Sequence, residues 1–97
     1  MPRSLIERRL TDVAARLRGA REELAVLDEQ LLSFTEAADD ARLRSLVSET
    51  PMAHREYAEA QRHADAMSRS RRLLVGQITE LAAAQDDLLD RLVVAPE

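Results

Sequence analysis

The chain has 97 residues, enough for one domain, and 33% of them are charged whereas only 2% are aromatic. There is no cysteine, which excludes disulfide and thiol chemistry, and a net charge of −4 disfavours general binding to nucleic acid or to anionic membranes. No uninterrupted apolar run exceeds four residues, too few for a membrane span or a signal-peptide core. We therefore expect a soluble cytoplasmic protein with neither nucleic acid nor membrane as a partner.

The first predicted helix covers about residues 4–46. Ser4 and Glu7 have the spacing of a capping box, in which each side chain bonds the backbone amide of the other residue. Apolar residues then recur at alternating intervals of four and three, the rhythm of a coiled-coil seam at heptad positions a and d. These residues are Ile6, Leu10, Val13, Leu17, Ala20, Leu24, Leu27, Leu31, Phe34, Ala38 and Ala41.

A turn is predicted at about residues 47–50, and a second helix at about 51–95. Thr50 is suited to cap that helix, and Pro51 is suited to its first position. The same rhythm returns beyond the turn and is interrupted by only two polar residues. The second seam comprises Ala53, Tyr57, Ala60, Ala64, Met67, Arg71, Leu74, Ile78, Leu81, Gln85, Leu88, Leu92 and Ala95.

Together these elements predict an all-α fold: a single domain, residues 1–97, forming a two-helix antiparallel coiled-coil hairpin. A short turn forces neighbouring helices to run antiparallel. Pairing positions whose numbers add to 98 places Leu17 opposite Leu81 and the large Phe34 opposite the small Ala64. Charge agrees, because residues 1–21 carry +4 and residues 73–97 carry −4, so the hairpin lays opposite signs side by side.

Further apolar residues lie beside the seam. Val75, Ala82 and Leu89 repeat every seven residues at heptad position e, and Val26 and Leu32 flank the first seam. These five are the candidate interaction residues, because they widen the apolar face toward the pattern of a helix bundle. We expect self-association into a four-helix bundle, or docking on the helices of a partner. Scattered surface apolar residues without a role remain the alternative.

The sequence contains no recognisable catalytic or cofactor site. The two histidines, His54 and His63, lack a second ligand at metal spacing, and no nucleophile–base–acid set or phosphate-binding loop is present. We therefore predict no enzyme activity, no cofactor and no metal. Arg71 on the seam either fixes the alignment of the helices or extends its head to an acid such as Glu23 or Asp28.

Asp39, Asp40 and Glu49 lie toward the turn and form a candidate acidic tip. The chain as a whole resembles short coiled-coil proteins of high-G+C bacteria, a likeness that implies a fold and no activity. The segments Arg21-Glu22-Glu23-Leu24 and Glu56-Tyr57-Ala58-Glu59-Ala60 are similar to parts of the N-terminal coiled coil of Gre transcript-cleavage factors. That resemblance implies that Asp39 and Asp40 would enter the RNA polymerase secondary channel and help to bind magnesium.

Two functions follow as hypotheses. The first is a non-enzymatic coiled-coil module for protein–protein interaction or scaffolding, forming a homo-oligomer and binding a protein partner that the sequence does not name. The alternative is a regulator of the RNA polymerase secondary channel that acts through the acidic hairpin tip. Recovery of RNA polymerase with the protein would favour the alternative.

Overall fold

A computed structural model describes residues 1–96, and it confirms the all-α helical hairpin. Helix α1 covers Arg3–Ser48 and helix α2 covers Pro51–Val94, separated by two residues only. The described residues contain no strand. Within that same part of the chain, neither helix has a stretch long and apolar enough to cross a membrane.

The chain divides into two compact units. The terminal unit contains Met1–Leu24 together with residues 74–96, and the turn unit contains Ala25–Leu73. Each unit therefore pairs a segment of α1 with a segment of α2. The expectation that the chain forms a single domain remains a prediction.

The core of the terminal unit consists of predicted seam residues. Ile6, Leu17, Leu74 and Leu88 are buried, and the other seam residues of this unit are half-buried. Arg3 of α1 donates from Nη1 to the carbonyl oxygen of Leu92 at 3.4 Å, near the C-terminal end of α2. A cation placed there stabilises the free carbonyl groups of a helix end.

The core of the turn unit is made of small residues. Ala38, Ala41, Ala53 and Ala64 are buried, so the paired helices approach closely, as the run of small seam residues predicted. The seam also continues one step beyond Ala41: Ser45 is buried, and its hydroxyl donates to the carbonyl of Arg42 at 2.8 Å. This local bond allows a polar residue to occupy the seam without an unpaired group.

Phe34 departs from the predicted core. Every other predicted seam residue is buried or half-buried, whereas Phe34 is 37% exposed. Its ring lies against the ring of His63, with 5.9 Å between the centroids and 30° between the planes. The Phe34 ring therefore lies beside the imidazole and is not fully enclosed by the seam.

Contacts within each unit agree with the predicted antiparallel alignment. In the terminal unit Arg3 contacts Leu92, and in the turn unit Asp28 contacts Arg71 and Phe34 contacts His63. The paired numbers add to between 95 and 99, close to the value of 98 derived from the seam. The seam pairing derived from the sequence thus predicted the alignment in both units.

The predicted capping box at the start of α1 is wrong. The carbonyl of Pro2 accepts bonds from the amides of Leu5 and Ile6, at 3.1 and 3.2 Å, so the helix begins before Ser4. Glu7 then pairs with Arg3, whose Nε lies 3.1 Å from Oε1 of Glu7. An Arg four residues before a Glu on one helix face competes directly for the carboxylate that the box requires.

Candidate protein interaction surfaces

The turn between the helices consists of Glu49 and Thr50, shorter than the predicted 47–50. Glu49 has a φ of 50°, and its amide donates to the carbonyl of Ser45 at 3.1 Å, which is the bond that closes a helix in the left-handed capping motif. Thr50 Oγ1 accepts from the amide of Ala53 at 3.1 Å, and Pro51 occupies the first helical position. The predicted cap of α2 is therefore confirmed, and the two caps together allow a two-residue turn.

Large apolar side chains project into solvent on both sides of this turn. Leu43, Leu46, Val47 and Met52, named here the turn cluster, are between 58% and 86% exposed. The first three are spaced three, four and one residues apart, so they lie near one another on the last turns of α1. Met52 lies in the first turn of α2, just beyond the cap.

Sequence reasoning missed the turn cluster, although a signal was present. Leu43, Leu46 and Val47 fall outside the seam positions, and they are concentrated in the last two turns of α1. Near the turn, the prediction from the sequence concerned charged residues only. Apolar residues that lie outside the seam positions and recur over two helical turns indicate a surface that remains uncovered in a single chain.

The predicted acidic tip is exposed to solvent. Asp39, Asp40 and Glu49 are all exposed within the turn unit. Among the described residues, no group of three or more His, Cys, Asp or Glu side chains is placed to hold a metal ion. Asp39 and Asp40 precede the turn by about two and a half helical turns at 3.6 residues per turn, so the turn itself is flanked by apolar residues.

The five predicted interaction residues fall into different units. Val26 and Leu32 are exposed on α1 of the turn unit, whereas Val75, Ala82 and Leu89 lie on α2 of the terminal unit. Val75 and Ala82 are half-buried, and Leu89 is exposed. The structure therefore describes the five as members of two separate surfaces.

One further residue belongs with Val75, Ala82 and Leu89. Ala14 occupies position e of α1, and it is half-buried although it lies outside the predicted seam. In an antiparallel pair the e positions of both helices line the same side of the seam. Ala14, Val75, Ala82 and Leu89 form what we name the terminal apolar face.

Arg71 is paired with an acid. Its Nε lies 2.6 Å from Oδ1 of Asp28, and both side chains remain partly exposed, at 42% and 47%. The predicted snorkelling arrangement is thus confirmed for one of the proposed acceptors. A pair this exposed contributes little to stability, about 0–1 kcal/mol, so its main consequence is to bring a polar seam residue to the solvent.

Comparison of the chain with protein-family models, with curated proteins and with solved structures finds no significant match. The resemblance to Gre factors therefore remains a prediction. What the chain does has to be argued from its own surfaces.

Proposed function

We propose that this protein is a non-enzymatic protein–protein interaction module that binds a partner through the turn cluster. The proposal is supported by the exposure of Leu43, Leu46, Val47 and Met52, four large apolar side chains close to the turn. Contiguous apolar side chains of this size are unusual on the surface of a protein without partners, and they mark interaction sites.

The local geometry suits an anchoring role. Val47 and Met52 flank a turn of two residues that is capped on both sides, so the turn between them is held by hydrogen bonds. A surface that is already ordered loses less conformational entropy on binding than a flexible loop does. The partner we expect presents an apolar groove or pocket that receives side chains of Leu and Val size.

The alternative function, regulation of RNA polymerase through its secondary channel, rests on Asp39, Asp40 and Glu49. Exposure of all three carboxylates supports it, because a tip that enters a channel has to present them to solvent. The two functions use different residues of the turn unit. They can therefore be separated by substitution.

Affinity capture from the native host, with matched variants, tests the proposal. Val47→Glu places a charge in the turn cluster, and Val94→Glu is the control, because both valines lie in the last turn of a helix and are 86% and 81% exposed. We expect Val47→Glu to lose a protein that the unaltered chain and Val94→Glu both retain. Equal capture by all three chains would contradict the proposal.

A third variant addresses the alternative. Changing Asp39 and Asp40 together to Ala leaves the turn cluster intact, so the partner of the turn cluster should still be captured. Recovery of RNA polymerase by the unaltered chain, and its loss with this variant, would favour the channel regulator instead. Circular dichroism of each variant confirms that helix content is unchanged.

A further inference from the structure

The terminal apolar face is only partly covered in a single chain, where Leu89 at one end is 45% exposed. Ala14 and Ala82 are small and half-buried, and Val75 and Leu89 stand on either side of Ala82 along α2. The stretch from Val75 to Leu89 runs about 21 Å at 1.5 Å per residue. Small residues in the middle, with larger ones at the ends, allow a second layer of helices to approach closely.

The amount of exposed surface leaves room for a further partner. The chain exposes 7096 Å². This is about 1,500 Å² more than the roughly 5,600 Å² expected for a folded chain of 10.9 kDa. A specific protein interface buries about 800 Å² on each side, so one such contact would cover about half of the excess.

We propose that the occupant of the terminal apolar face is a second copy of this chain, with α1 of each copy lying against α2 of the other. The proposal does not depend on the turn cluster, because every residue of the face lies in the terminal unit. It extends the proposed function by a second surface and a second partner.

The distribution of charge favours a second copy of the chain as the occupant, and it also favours one orientation of that copy. In the terminal unit residues 1–21 carry +4, and residues 74–96 carry −3. Two copies related by a two-fold axis parallel to the helices place the basic segment of one chain beside the acidic segment of the other. A two-fold axis perpendicular to the helices would instead place +4 beside +4 and −3 beside −3.

A second alignment also places opposite charges side by side, but it brings apolar side chains against polar ones. If the terminal unit of one copy covered the turn unit of the other, Val75 and Leu89 would meet a flank whose e positions hold Asp28, Thr35 and Gln61. Apolar side chains would then cover polar ones that lose water without gaining partners. The arrangement with the axis parallel to the helices satisfies charge and places the small Ala14 against the small Ala82, with Glu7 and Arg21 at the two ends of the same flank.

Disulfide trapping tests the arrangement, because the chain has no cysteine of its own. Chains carrying Ala14→Cys and chains carrying Ala82→Cys, distinguishable by mass, are mixed in equal amounts and oxidised. Position 14 of one copy should lie against position 82 of the other, within the short reach that a disulfide requires. We expect the mixed disulfide to exceed the half share that random pairing gives, and any other distribution overturns the arrangement.

Sedimentation tests the occupant independently. The unaltered chain should dimerise in the micromolar range, as four residues can supply only part of a standard-sized interface. Ala82→Glu should weaken dimerisation by about tenfold or more, a loss of about 1.4 kcal/mol, and the neighbouring exposed Ala83→Glu should leave it within about twofold. A chain that stays monomeric throughout, or a dimer indifferent to Ala82→Glu, would overturn the proposal.

Discussion

Two adjacent leucines on α2 offer a matched measure of the seam. Leu74 is 5% exposed and Leu73 is 72% exposed, so Leu74→Ala and Leu73→Ala remove the same three carbon atoms from opposite environments. Leucine and alanine have similar helix propensities, so that contribution largely cancels in the comparison. The difference between the two variants therefore reports packing.

The expected magnitude follows from the buried atoms. Three carbons at about 0.8 kcal/mol each give about 2.4 kcal/mol of lost transfer free energy, and an incompletely closed cavity raises the loss to about 3 kcal/mol. Leu73→Ala should change the free energy of unfolding by less than about 0.5 kcal/mol. A loss of 3 kcal/mol is a large fraction of the roughly 5–15 kcal/mol that stabilises a typical folded domain.

Urea unfolding followed by far-ultraviolet circular dichroism measures both variants at one protein concentration. The dependence of the unfolding free energy on urea should be the same for all chains, so that the midpoints can be compared directly. If Leu73→Ala destabilises the protein as much as Leu74→Ala, the helix face assigned to the core is wrong.

Three further predictions concern the turn and the exposed ion pair. Thr50→Ala removes the acceptor for the Ala53 amide and should lower the free energy of unfolding by about 1 kcal/mol; an unchanged urea midpoint would show that the cap is dispensable. Glu49→Gly relieves a left-handed conformation, at a φ of 50°, and should raise stability by about 0.5–1 kcal/mol, whereas a lower melting temperature would contradict that assignment. Asp28→Asn weakens the pair with Arg71 and should cost no more than about 1 kcal/mol, with the loss smaller at high salt; a larger or salt-independent loss would show that the pair is not solvent-screened.

The seam could be predicted from sequence because its periodicity directly reflects which side chains face the other helix. Leu17 and Leu74 are buried where the alternation of fours and threes placed them. Thr50 and Pro51 likewise predicted the start of α2, since each residue type has a strong preference for that position.

Other features depend on competition between groups, which a motif does not resolve. Ser4 and Glu7 matched a capping box, but Arg3 takes the carboxylate of Glu7, and the helix begins earlier. Phe34 fits the heptad pattern, yet it is 37% exposed and its ring lies against that of His63.

The surfaces were the least predictable part of the molecule. Periodicity identifies Leu46 and Val47 as residues outside the seam, but it does not say that they remain uncovered. Ala14 was missed for a different reason. A small residue adds little to a hydrophobic pattern, even where it lies on an apolar face. The periodicity of one chain does not identify the molecule that binds to either surface.

The hairpin requires that the N-terminal segment of α1 packs against the C-terminal segment of α2 of the same chain. Arg16 and Ala84 line one shallow cleft of the terminal unit, beside Leu81. Spin labels on Arg16→Cys and Ala84→Cys, in a doubly labelled chain diluted with a large excess of unlabelled chain, measure this distance directly. We expect a separation below about 20 Å, because packed helix axes lie about 8–10 Å apart. A long distance in the diluted sample, with a short one only when every chain is labelled, would show that the helices pair between molecules and would contradict the hairpin.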